Sequence, residues 1–582
     1  MNEIDPTLFP SRVGAIVGAI ALWGSATTLT VAQQPPPADA QQLPPPATDP
    51  RDRLLQPAPT PTPLPPTEER LAPEVPPVPE AGDDAATIFV RRVSITGSTV
   101  FAAADFAPIV TPLQGRSVTL PELFEAANEV TRLYLADGYL TSRAVLIEES
   151  LVSGEIELRV IEGSVESIEI DGLKRIRDRY VRSRIERAAK APLRVNTLED
   201  QLRLLQLDPL FELIEASLKS GSSVGKSVVS VRVTEARPWD ARISSDNYSP
   251  PSIGGERFQG QASYNNLTGR GDRVSLEVGV TTLGGSDTID ASYRLPLNSR
   301  DGSLQLRALV NNNEVVTEEL QDLNITGDFE LYEISYRQPL KRSPREELAF
   351  GIGFTHQRGR TRVDGVPTPL TIGADDDARS ITSTLRLSQE YIRRGATGAW
   401  ALRSQFNIGT GIFNATDNAD DIPDSMFFSW LGQVQRVQVL GENNFLILLA
   451  DFQLAPNPLL PAEQFAIGGG QSVRGYRQNI LGGDNGVRLS VEDRITLVRN
   501  DAGEAKLQLA PFIDFGAVFN AAGNPNDLAQ DNTVLVGLGA GILWEPIESL
   551  SIRLDYGVPL VDVDESDNVQ DDGFFFNVVF TP

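Results

Sequence analysis

Apolar and polar residues are arranged in four successive patterns along this chain of 582 residues. The longest pattern runs from Trp239 to the C-terminal end, where apolar and polar residues alternate in segments of about ten. Ile289, Ala291, Tyr293 and Leu295 alternate with Thr288, Asp290, Ser292 and Arg294. Leu304, Leu306, Ala308 and Val310 repeat the pattern against Gln305 and Arg307, and Ile552, Leu554, Tyr556 and Val558 do so again. Side chains of a strand point alternately to its two faces, so one face here meets lipid and the other water. A soluble sandwich would not sustain this without one clear helix. The spacing predicts about sixteen antiparallel strands, an even number as a bacterial transmembrane barrel requires. Short turns such as Leu297 to Gly302 belong on the periplasmic side. The acidic stretches around Asp375-Asp376-Asp377, Asp420-Asp421 and Asp562 to Asp572 belong to outer loops. Phe574, Phe576, Val578 and Phe580 share one face of the last segment.

From about 86 to 237 the periodicity is mixed. Phe89 to Gly97 reads as a strand ending at Gly. Leu123, Ala126, Ala127, Val130 and Leu133 lie at helical spacing within Leu120 to Leu135, and Asp137-Gly138 stops that helix. Strands follow at Ala144 to Glu148 and Glu155 to Ile161. The order then recurs: a strand at Ser167 to Gly172, helices at Asp178 to Ala189 and Leu198 to Leu205, and a strand at Val228 to Glu235. An internal duplication of about 75 residues accounts for this.

The N-terminal patterns set the compartment. Arg12 precedes an apolar run, Val13 to Trp23, too short to span a bilayer, and Thr30-Val31-Ala32 makes a cleavage site; residues 1–32 read as a secretory signal peptide. Residues 33–85, dominated by Pro, Ala and Gln, form a linker that cannot bury a core.

Composition then removes whole classes of function. There is no Cys and one His, His356, which excludes thiolate sites and disulfides and disfavours His-centred catalysis or metal ligation. A formal net charge of −27 opposes nucleic-acid binding. The run Asp562 to Asp567 lacks the Gly and distal Glu of a calcium loop. No Gly-rich Lys-Ser/Thr loop and no nucleophile–base constellation is present. We expect no enzyme activity, no cofactor and no metal.

The most specific segment lies between the eleventh and twelfth candidate strands, Phe465 to Tyr476, and contains Val473-Arg474-Gly475-Tyr476. Downstream, in the next strand but one, comes Phe512-Ile513-Asp514-Phe515-Gly516. Both motifs resemble those of the transporters that join polypeptide-transport-associated (POTRA) domains to an outer-membrane barrel. Two such modules after a Pro-rich linker resemble the two-partner secretion branch, the haemolysin secretion/activation proteins. The resemblance covers nearly everything after residue 86. It implies a signal peptide (1–32), a linker (33–85), two α+β POTRA domains (86–163 and 164–237) and a barrel (238–582). It also implies a loop folded into the lumen and tied to the wall.

The residues themselves agree. In Leu507 to Phe519, parity turns Leu507, Leu509, Ile513 and Phe515 toward lipid and Phe512, Asp514 and Gly516 toward the lumen. In the next strand Val534, Val536, Leu538 and Ile542 face lipid, while Gly537, Gly539 and Gly541 face inward and leave space for a loop. Arg474 can fill that space and meet Asp514. One departure stands out: many relatives begin with a long plug helix, and Pro50 and Pro57 leave little room for one.

The function this implies is an outer-membrane pore with periplasmic POTRA domains. It exports a haemolysin- or adhesin-like partner, unfolded in the periplasm, which docks on the POTRA sheets; the pore itself is a monomer in lipid. A barrel-assembly factor of the same superfamily is the alternative, although such relatives usually carry more modules. A solute porin leaves the modules and Val473 to Tyr476 without a role.

Overall fold

The computed structural model describes residues 87–318, 320–419, 422–525, 533–563 and 568–582. The expected signal peptide and linker, Asp420-Asp421 and residues 564–567 of the Asp562 to Asp567 run lie outside the described residues.

The first module departs from the sequence reading at its start. The expected strand Phe89 to Gly97 is two strands: Thr87–Val90 pairs antiparallel with Arg116–Thr119, and Arg92–Thr96 pairs parallel with Glu155–Ile161. Val90 and Val93 are both buried, yet they stand on opposite parity. A straight strand cannot bury both. The chain bends at Arg91, whose N–H donates to the Gly154 carbonyl at 2.8 Å, and the two halves join different sheets.

Helix Leu120–Ala136 forms as its spacing predicts, opened by Thr119 and Glu122, which cap each other's backbone N–H. Its buried face carries Leu123, Ala126, Ala127, Val130 and Tyr134. A further helix, Ala103–Val110, was hidden in the sequence by Pro108 inside it.

Both modules use one three-stranded topology, with the last strand central, parallel to the first and antiparallel to the second in chain order. In the second, Ser164–Asp171, Lys226–Glu235 and Phe211–Ser220 take these places. The sequence reading had no strand at Phe211–Ser220, because a register shift between Phe211 and Leu213 breaks its alternation. The duplication extends to details. Gly97 and Gly172 end the first strands with φ of 82° and 92°. A Cβ there would lie 2.3 Å from the Val160 carbonyl oxygen and 2.1 Å from that of Val233. At the same end of each sheet a carboxylate collects the N–H groups that follow: Glu162 from Thr99 and Val100, Glu235 from Lys174, Arg175 and Ile176.

Seventeen strands form the closed barrel order, and setting aside the two-residue Val366–Pro367 leaves sixteen. All are antiparallel to their neighbors, and Trp239–Asp246 closes on Phe574–Phe580. The Asn247 side chain extends this seam, donating to the Phe574 carbonyl at 2.8 Å and accepting from Phe576 N–H at 2.9 Å. The turn Leu297 to Gly302 meets the second module: Asp301 accepts from Arg184, and the Ser299 carbonyl accepts from Arg187 at 2.8 Å. The short turn thus lies on the side of the modules, as expected.

Candidate functional site in the barrel lumen

Residues 455–484 connect the eleventh and twelfth strands, Asn444–Leu454 and Asn485–Arg499. A loop this long would ordinarily lie in water. This one is buried: Val473, Arg474 and Tyr476 are at most 5% exposed. A small hairpin of Phe465–Ile467 and Leu481–Gly483 stiffens its stem, and Gly475 turns its tip with φ of 101°.

The wall it meets is strand Ala505–Phe519. Alternation there buries Phe512, Asp514 and Gly516 and leaves Ile513 exposed, as their parity requires. Arg474 grips Asp514 with two parallel bonds, Nε to Oδ2 at 2.7 Å and Nη2 to Oδ1 at 2.9 Å. Its backbone N–H adds a third at 3.2 Å. Nη1 donates to Glu492 at 2.7 Å, and the guanidinium carbon lies 3.4 Å from the Phe512 ring center. A planar fork on a carboxylate, with an aromatic face beneath it, is a geometry lysine could not reproduce.

The glycines make this approach possible. A Cβ on Gly537 would lie 1.9 Å from the Arg474 carbonyl oxygen, and one on Gly557 2.6 Å from Gly475 N. A Cβ on Gly516 would lie 2.8 Å from the Val473 side chain. Tyr476 completes the tip, its hydroxyl donating to the Val536 carbonyl at 2.8 Å and accepting from Val561 N–H at 3.1 Å.

Four charged residues here were absent from the sequence reading. Arg553 donates to Glu492 at 2.7 Å and to Asp555 at 2.6 Å, and Arg494 donates to Glu492 at 2.8 Å. With Arg474 and Asp514 they make three arginines and three carboxylates. Buried charges are tolerated when they compensate one another in this way. The sequence did carry a signal: Glu492/Arg494 and Arg553/Asp555 are opposite charges two apart, on the same face of their strands.

Comparison with known proteins fits this geometry. The family model "Haemolysin secretion/activation protein ShlB/FhaC/HecB" matches residues 225–543, and "POTRA domain, ShlB-type" matches 88–163. The outer membrane transporter CdiB of Escherichia coli O6:K15:H31 (strain 536 / UPEC) is 24% identical over 442 residues, 72% of this chain and 71% of its own. The hemolysin transporter protein ShlB of Serratia marcescens is 24% identical over 444 residues, 72% of this chain and 74% of its own. A solved structure of CdiB from Escherichia coli shares the fold with a TM-score of 0.68 at 20% identity, covering 91% of this chain and 95% of that one. With the family model spanning more than half of its length, the chain belongs to the ShlB/FhaC/HecB family of haemolysin secretion/activation proteins, outer-membrane two-partner secretion transporters with periplasmic POTRA domains.

Proposed function

We propose that this transporter, acting as a monomer, exports one haemolysin- or adhesin-like polypeptide. The client arrives unfolded and pairs with an open sheet edge of the second module before threading the lumen. The observation that carries this reading is strand Phe211–Ser220. It is the outer strand of its sheet, and Glu215 to Ser220 are exposed throughout. Long bare edges invite strand addition and are normally covered. The first module offers less: Arg143–Leu146 has four residues, and its Ala144 N–H is already taken by Thr131. The division into signal peptide (1–32), linker (33–85), modules (86–163 and 164–237) and barrel (238–582) belongs to the same proposal, as does the role of Val473 to Tyr476 with Phe512, Asp514 and Gly516 in holding the loop.

The test is proline substitution at Ala216, Leu218 and Ser220, whose N–H groups alternate away from the central strand and whose loss removes edge donors without touching the barrel. Secretion of the client should fall while the barrel still shifts on unboiled gels. Unchanged secretion would refute edge docking.

A further inference from the structure

The lumenal loop is held at a second place, on the opposite wall. Glu463, in the short turn Pro461–Glu463, is 1% exposed. Its Oε1 accepts from Gln357 at 2.6 Å, from Arg386 at 3.1 Å and from Thr382 and Thr384 at 3.3 Å each. Arg386 is itself oriented by Thr355 at 3.1 Å and Asn407 at 3.3 Å. These partners lie on the seventh, eighth and ninth strands, Glu346–Val363, Arg379–Gly395 and Gly398–Thr410. The partners of Arg474 lie on the twelfth, thirteenth and fifteenth, Asn485–Arg499, Ala505–Phe519 and Leu550–Pro559. The loop therefore crosses the lumen as a strap, and a polypeptide passing through must displace it.

The two attachments differ in kind. At the Arg474 end, contacts come from a side-chain fork, a backbone N–H, an aromatic face, the Tyr476 hydroxyl and a backbone wedged against glycines. No single change undoes them all. At the other end the side-chain hydrogen bonds to the seventh and eighth strands converge on one carboxylate, beside a backbone bridge from Leu459 to Asp424 and the packing of Leu459 with Phe427. Departure of Glu463 breaks only that one set of bonds, and Arg386 keeps its bonds to Thr355 and Asn407. Release of Arg474 would strand Asp514 against the wall, while Glu492 keeps Arg494 and Arg553.

We propose that Glu463 is the positioning residue that holds the strap closed and is its releasing end, with the Arg474 cluster as the hinge. The inference rests on the transport reading above. When Glu463 lets go, the segment before the tip swings from the seventh-to-ninth-strand wall and clears a path, while the tip stays docked.

The experiment uses the purified full chain in planar bilayers in potassium chloride, so that no client is needed. Glu463→Gln keeps the shape and removes the charge. Open events should become about tenfold more frequent, the shift expected from weakening one hydrogen bond to a charged group. Glu463→Asp should lie between the two. Because the chain has no Cys, introduced pairs are unique. Bridging Glu463→Cys to Thr384→Cys with a short, reducible thiol cross-linker should abolish openings, and reduction should restore them. The same bridge between Arg477→Cys and Asp571→Cys, whose native side chains pair at 3.0 Å beyond the tip, should leave openings in place. Openings that persist with the Glu463 bridge, or that vanish with both bridges, would overturn the proposal. The gel shift of each variant separates these results from barrel misfolding. Silence of both the wild type and Glu463→Gln would sink the pore reading, whereas a wild type that conducts and opens as often as Glu463→Gln would sink this inference alone.

Discussion

The second periplasmic module and the barrel both alternate apolar and polar residues, but they bury opposite halves of the pattern. In strand Lys226–Glu235 the residues Val229, Val231 and Val233 face Val181, Leu198 and Leu205 in a dry apolar core. In strand Ala505–Phe519 it is Asp514 that is sealed inside and Ile513 that is exposed. Burying an apolar side chain in the module gains roughly 1.5–3 kcal/mol by removing it from water. The barrel interior gains little in this way. Its outer surface rests in lipid, its backbone is satisfied by the closed ladder, and its interior charges must compensate one another. The module is therefore sensitive to lost packing, and the lumen to lost pairing.

The largest effect should come from placing a lumen-type residue in a module core. Leu158, fully buried in the first module, belongs to its apolar core cluster. Leu158→Asp should cost more than about 4 kcal/mol, because an unpaired charge is driven into a dry site. Limited proteolysis should find the module unfolded while the barrel keeps its gel shift. A protected module would mean that its core is wetter than the packing indicates.

Removing a charge from the lumen should come next. Arg474→Ala leaves the buried Asp514 without its cation, at a cost of roughly 3–5 kcal/mol. Protease sensitivity of residues 455–484 should rise and barrel insertion should not change. Asp514→Ala should act similarly, and the double variant should be far from additive. Additive effects would break the comparison, since the lumen would then not depend on pairing.

The smallest effect sharpens the contrast within the modules. Burial pushes the Glu235 carboxyl up, but the N–H groups of Ile176, Lys174 and Arg175, with the Arg175 charge, outweigh it and hold the carboxyl below its usual range. A depressed carboxyl contributes stability above the ordinary carboxylate range and loses it as pH falls through the lowered value. Protection of the second module against proteolysis should therefore weaken on acidification. Glu235→Gln should be less protected at neutral pH and show a flatter pH dependence. An unchanged profile would remove Glu235 from the stability of the sheet.

Much of this was legible in the residues. The period-two pattern exposed the barrel, its strand number and the inward side of Phe512, Asp514 and Gly516, because a strand has only two faces. Leu120 to Leu135 announced its helix through its spacing and the Asp137-Gly138 stop. The strand Phe211–Ser220 escaped because a bulge interrupts its alternation, and the bend at Arg91 because the phase of a pattern is weaker evidence than its period. Glu492, Arg494, Arg553, Asp555 and Glu463 read only as polar residues of strands and loops.

The sequence by itself determined the local matters: which stretches are strands, which face each residue takes, and which motif residues belong to a lumenal loop. These depend on neighbors a few positions away. Only the tertiary structure decided that Glu463 reaches strands 7 and 8 while Arg474 reaches strands 12, 13 and 15. Those contacts join residues far apart in the chain, and nothing in a local pattern states which strands stand opposite one another across a lumen. Closing the sheet into a ring does so, because the ring fixes which walls a single loop can touch.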